Sequence, residues 1–264
     1  MNKFNLTALL VLAGAGMATQ SAQAAMSYTQ GDILIGFRAT SGTGSTLNYV
    51  IDVGQSIFSA APGATVDLGN FGADLSGSSL GFGSTWFTRN NVKWGVFGST
   101  ASGDIASTLY AGVQELPVGT QATGYPTDTS ANQNTTLSAI NQAAARYATA
   151  GTAANAANAT FQNTSDSNHY SQFLSGGNWF GPFASSSFES TLNGTTKAID
   201  LFRETPDNVT PGTLTGTYVG RFVIDSTGEL TFTKAVPEPS TLTALAGGAA
   251  LLGLVRRRRP VSAA

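Results

Sequence analysis

Residues 218–224 read Tyr-Val-Gly-Arg-Phe-Val-Ile, residues 225–228 Asp-Ser-Thr-Gly, and residues 229–233 Glu-Leu-Thr-Phe-Thr. Tyr218, Gly220, Phe222 and Ile224 alternate with Val219, Arg221 and Val223, and Leu230 and Phe232 alternate with Thr231 and Thr233. Period two is the strand repeat, because successive side chains leave a strand on opposite faces. Asp225 to Gly228 carries turn-forming residues, so the whole reads as an antiparallel hairpin with a buried face. Working outward, β-branched and aromatic runs at 32–39 and 48–53 flank a Ser/Gly/Thr loop at 40–46 and make a second hairpin. Further strands are expected at 91–97, 107–114 and 197–203. Residues 130–150 carry Leu137, Ile140, Ala144 and Tyr147 on one stripe and predict a single helix. The Ala/Asn/Thr segment from there to about 168 reads as a helical continuation or a loop. No fixed repeat period runs through the chain. The expected fold is mainly β: an antiparallel, jelly-roll-like β-sandwich over residues 25–235, with the 130–150 helix inserted on its outside.

Composition narrows the chemistry. Among 264 residues there is no cysteine, one histidine and 11% charged residues, with a formal net charge of −2. That excludes a disulfide scaffold, a cysteine nucleophile or metal ligand, and a basic nucleic-acid binder. Residues 1–24 show Lys3, an apolar run over 6–18 and small residues at Ala22 and Ala24. This is the layout of a signal helix for the Sec translocon, with signal peptidase expected to cut after Ala24.

At the other end Val236-Pro237-Glu238-Pro239-Ser240 precedes an uncharged stretch over 241–255, then Arg256, Arg257, Arg258 and Arg259. Two prolines hold the segment extended, in the open form that a processing enzyme grips. The stretch is expected to form a short hydrophobic helix, shorter than the roughly 20 residues of a comfortable span, so it reads as a transient inner-membrane anchor. The arginines would stay on the cytoplasmic side and leave the domain outside. A plain C-terminal anchor is the alternative.

Residues 236–260 resemble the PEP-CTERM sorting signal of Gram-negative bacteria, in which a Pro-Glu-Pro motif, an apolar span and a basic end follow in this order. The same tail is also labelled an ice-binding protein C-terminal domain, a label that describes the tail alone. The resemblance implies an exosortase as partner and export to the surface or matrix of bacteria that make exopolysaccharide. More loosely, the runs GDILIGFRA and NYVIDVG and the terminal hairpin resemble the ectodomains that precede such tails, which implies a β-rich surface domain and no activity.

Candidate chemistry in the domain is sparse. His169, with Asp166 or a distant acid as orienter, is the only histidine available to a serine triad, and no G-x-S-x-G elbow accompanies it. Glu189, Asp200 and Glu204 are the carboxylates that a glycosidase would need in pairs. No cofactor is expected; calcium is the one metal that the loops suggest, through Asp166-Ser167-Asn168 or Asp207-Asn208, neither with EF-hand spacing. Trp86, Phe87, Trp94, Trp179, Phe180 and Phe183 would stack on sugars if exposed and would form core if not. Thr213, Thr215 and Thr217, with Thr231 and Thr233, show the period-two threonines that an ice-binding plane uses, in rows too short for one.

The expectation is a non-enzymatic, exported structural or adhesive protein; a secreted carbohydrate-binding module or glycoside hydrolase is the alternative. Loss of Lys3 with the leader, and of Glu238 and the four arginines with the tail, leaves eight basic and fourteen acidic residues, a domain of net charge −6.

Overall fold

In a computed structural model of the chain, residues 26–150, 152–167, 169–175 and 188–237 are described. The leader with Ala22 and Ala24, and the tail from Glu238 through Pro239 to Arg256, Arg257, Arg258 and Arg259, lie outside the described residues. So do both terminal helices expected from the sequence.

Among the described residues eleven strands form one antiparallel sheet: β1 (Ile33–Ala39), β2 (Leu47–Gly54), β3 (Thr65–Asn70), β4 (Val92–Gly98), β5 (Leu109–Gln114), β6 (Thr152–Ala153), β7 (Ala159–Asn163), β8 (Ser190–Thr191), β9 (Lys197–Glu204), β10 (Thr217–Ile224) and β11 (Glu229–Lys234). The ladder runs β3-β11-β10-β9-β5-β4-β1-β2-β7-β6, with β8 paired to β4. Among the described residues four α-helices accompany it: α1 (Ser56–Ser59), α2 (Gly72–Leu75), α3 (Ser130–Ala150) and α4 (Tyr170–Ser175). The mainly β, antiparallel reading and its helical insertion hold.

The terminal hairpin forms as the alternation dictates. Phe222 lies opposite Phe232 and Ile224 opposite Leu230, with the two phenyl rings 4.7 Å apart. In the turn Asp225 Oδ1 accepts from the Thr227 amide at 2.8 Å, the Thr227 hydroxyl at 2.7 Å and the Glu229 amide at 3.0 Å. Gly228 completes it at φ +87°, where a side chain would be strained.

The two faces of a sandwich are here joined in one continuous ladder that curls over its own core. Phe71, just past β3, meets Tyr49 of β2 at 6.5 Å although their strands lie far apart in the ladder. Asp74 of α2 closes the curl: it accepts from the Tyr49 hydroxyl at 2.8 Å and from the amides of Asn155 and Ala156 at 2.8 and 3.1 Å. Inside the curl, alternate residues of seven strands meet, among them Ile35, Phe37, Ile51, Trp94, Leu201, Phe222 and Phe232. The outer face carries Leu34, Val50, Phe97, Val113 and Phe202, covered by Ile140, Ala144 and Tyr147 of α3 and Tyr170 of α4. The insertion therefore sits outside the sheet, on the stripe read from the sequence.

The segment after α3 departs from expectation. It forms β6 and β7, an antiparallel pair in which Ala153 lies opposite Thr160, and β7 pairs with β2. β3 was likewise not expected; it is a largely exposed edge strand beside β11.

Candidate functional site

None of the three candidate carboxylates lines the groove at the mouth of the curl. Glu189 is held by Arg38 of β1: Nε donates to both carboxylate oxygens at 2.9 and 3.1 Å, and Nη2 donates to Oε2 at 2.6 Å. The buried Tyr170 hydroxyl donates to its Oε1 at 3.1 Å. Asp200 of β9 is fully buried on the outer face and accepts from the Ala122 amide at 2.6 Å. Opposite it in the ladder stands Arg221 of β10, whose Nε lies 2.6 Å from Glu115 Oε1. Glu204, four residues along β9, is buried against the Tyr125 backbone. All three acids are buried, Asp200 completely.

Burial sets the titration of three carboxyls, Glu204, Asp52 and Asp200. It pushes the Glu204 carboxyl up to about 8 and Asp52 of β2 up to about 7, with the neighbouring Asp32 charge adding to the effect. Asp200 is also raised, by burial first and by Glu115 next. A carboxyl raised on folding binds its proton more tightly folded than unfolded. Its contribution is therefore fully present below the unfolded value near 4 and is lost as pH rises through the folded value. Thermal denaturation is expected to show a lower midpoint at pH 8.5 than at pH 5.5, with stability falling by roughly 3–5 kcal/mol once solvent screening is allowed for. Glu204→Gln should flatten the upper part of that slope, and a midpoint that rises over this window would contradict the assignment.

His169 caps a helix. Its Nδ1 accepts from the Gln172 amide at 3.2 Å and lies 2.8 Å from the Ser171 hydroxyl and 3.3 Å from Asn48 Nδ2. The amide donor fixes Nδ1 as an acceptor at the first turn of α4. Burial lowers the imidazole, and the Asp166 charge opposes that shift.

Two of the calcium candidates, Asp207 and Asn208, are engaged in hydrogen bonds within the protein. Asp207 Oδ1 accepts from the amides of Val209 and Thr210 at 2.9 and 3.0 Å, which holds its carboxyl below the usual range. Asn208 caps α3 by accepting from the Ser130 amide at 2.8 Å. Asn168 lies outside the described residues, and among those described no three His, Asp or Glu side chains are grouped to hold a metal.

Trp94 stacks on Phe37 at 5.9 Å, and Trp86 and Phe87 are buried, so these three aromatics are core. Trp179, Phe180 and Phe183 lie outside the described residues. The threonines do not form one plane: Thr213 turns back onto Thr210 before β10 begins, while Thr233 on β11 meets Thr65 of β3 at 3.0 Å.

What the sheet does build is a groove of about 810 Å³ at one mouth of the curl, where β9, β10 and β11 end beside α1. Its floor is aromatic: Phe58 of α1 and Tyr110 of β5 lie 4.8 Å apart. Lys234 Nζ stands 5.7 Å over the Phe58 ring. Arg203 lies opposite Tyr110 in the ladder, with Nη1 3.7 Å from Asp104 Oδ1. The Tyr110 hydroxyl donates to the other oxygen of Asp104 at 2.7 Å, and burial with that carboxylate raises the phenol. Burial, then the Arg203 charge, lowers the Lys234 ammonium.

One wall of the groove is Ala235, Val236 and Pro237, where the domain hands over to the tail. The Lys234 amide donates to Ala64 at 3.0 Å and the Ala235 amide to Val219 at 2.9 Å. Beyond them Val236 is exposed. Nothing in the linear sequence marks Phe58, Asp104, Tyr110, Arg203 and Lys234 as a group; cross-strand register assembles them.

The sequence model of the PEP-CTERM protein-sorting motif matches residues 235–259. No curated protein and no solved structure matches the chain. Among the described residues no helix is long and apolar enough to cross a membrane. The motif is the mark of an exported protein sorted by exosortase, and it begins on the residue that makes the last of these ladder hydrogen bonds, Ala235.

Proposed function

We propose that this chain, which carries a PEP-CTERM sorting motif at residues 235–259, is delivered to the surface or matrix of a Gram-negative, exopolysaccharide-producing cell. There its β domain serves as a structural or adhesive element without catalysis. Entry is through the Sec translocon with cleavage after Ala24, and the stretch at 241–255 holds the chain briefly in the inner membrane until exosortase acts at Pro237-Glu238-Pro239. The observation that carries the reading is the junction. β11 lies between β10 and β3, and the motif starts one residue after that strand ends. The tail can thus be removed without opening the core. The hydrolase alternative is disfavoured because Glu189, Asp200 and Glu204 are each buried and none of them lines the groove.

Replacing Pro237 and Pro239 with alanine, or deleting Arg256, Arg257, Arg258 and Arg259, is expected to leave the chain uncleaved in the inner membrane on fractionation. Unchanged release would contradict sorting through this motif. A reducing-sugar assay on the exported protein should show no turnover. Turnover abolished by Glu189→Gln or Glu204→Gln would overturn the non-catalytic reading.

A further inference from the structure

We propose that the groove at the mouth of the curled sheet binds an acidic saccharide, with a sugar carboxylate between Arg203 and Lys234 and a ring face on the aromatic floor. The inference rests on the domain being displayed outside the cell and adds a ligand class to that reading.

Shape is the first argument. The groove's volume of about 810 Å³ falls within the roughly 300–1,000 Å³ of sites that enclose small molecules, and the mouth of a curled sheet is a recurrent place for them.

Charge is the second. The domain carries net charge −6 once leader and tail are removed, yet this groove holds two cations and one acid. Asp104 neutralises Arg203 only at 3.7 Å, because its other oxygen is occupied by the Tyr110 hydroxyl and the Ala101 amide. Lys234 has no salt-bridge partner among the described residues. Burial first and then the like charge of Arg203 disfavour its ammonium form, and an anion set between the two cations offsets both.

The chemistry of the remaining surface separates a sugar from a simple anion. Ser102, Gln121 and Thr217 line the same groove and offer neutral partners to ring hydroxyls. Phe58, only partly buried, offers an apolar surface to the CH face of a pyranose. An acidic peptide would use the cations and leave those hydroxyls and amides idle.

The test titrates the full chain, purified in a non-ionic detergent, with three probes by calorimetry: tetragalacturonate, a neutral glucose tetramer and hexaglutamate. Tetragalacturonate is expected to bind at least tenfold more tightly than either other probe, and at least tenfold more weakly in 500 mM than in 50 mM salt. Arg203→Ser with Lys234→Ser should lose at least tenfold in affinity with an unchanged melting temperature. In the wild-type chain the Lys234 ammonium should titrate higher with tetragalacturonate bound, read by NMR. No binding at millimolar tetragalacturonate, equal binding by the double variant, or preference for the neutral tetramer would overturn the proposal. Tighter hexaglutamate binding would overturn it in favour of a peptide site. Because binding is read on purified protein, its failure leaves the sorting reading standing. Failed sorting would in turn leave the binding result intact.

Discussion

Glu189→Ala is expected to destabilise the domain by about 3–5 kcal/mol, the cost of leaving one partner of a buried ion pair unpaired. Glu189 and Arg38 are 7% and 22% exposed as side chains, and two guanidinium nitrogens engage the carboxylate. Removing the acid strands the Arg38 charge on the outer face and takes the acceptor from the Tyr170 hydroxyl, which is buried completely. The loss is a large fraction of the stability of an ordinary domain, and the melting temperature should fall by about 10 °C. Arg38→Met with Glu189→Met should recover most of it, because two apolar groups of similar size leave no buried charge. A loss below about 1 kcal/mol for the single variant, measured by denaturant titration, would show the pair to be an exposed one.

Gly36→Ala should be nearly as damaging, at about 3 kcal/mol, through overpacking rather than charge. Gly36 on β1 lies opposite Gly95 on β4, and the two together leave a slot into which Tyr170 of α4 inserts. A β-carbon at Gly36 would stand 2.4 to 2.6 Å from three carbons of the Tyr170 ring. At Gly95 it would stand 2.5 Å from the Tyr170 hydroxyl and 2.8 Å from Phe188. These are backbone positions in a paired ladder and cannot retreat, so the tyrosine must leave and its stacking on Phe97 at 5.7 Å goes with it. Near-ultraviolet circular dichroism should report the expelled ring. In a Tyr170→Leu background the same glycine change should cost clearly less; equal costs in both backgrounds would place the strain elsewhere.

Those two sites show where sequence reading reaches and where it stops. The β10–β11 hairpin is legible because one face is buried and the other is wet, so alternation survives in the residue types. α3 is legible for the same reason at helical period, with Ile140, Ala144 and Tyr147 buried. β7 hides because Thr160 and Gln162 are polar yet buried beside Ala159 and Phe161, which erases the pattern. β3 hides because an edge strand with a mostly exposed surface needs little alternation. The sorting motif is local in sequence, and an enzyme that grips extended chain reads it as linear text, so residues 236–260 announce themselves. The groove is the opposite case. Phe58, Tyr110, Arg203 and Lys234 meet only because β5 pairs with β9 and α1 packs near the end of β11. The same holds for Arg38 and Glu189, which lie 151 positions apart.

The central claim is that a self-contained β domain is exported and then severed from the tail that delivered it. Mass spectrometry of the intact protein recovered from the cell surface tests this most directly. The account predicts a chain beginning near Ala25 and ending within residues 237–240. A chain that still carries Arg259 would contradict it and establish a permanent anchor.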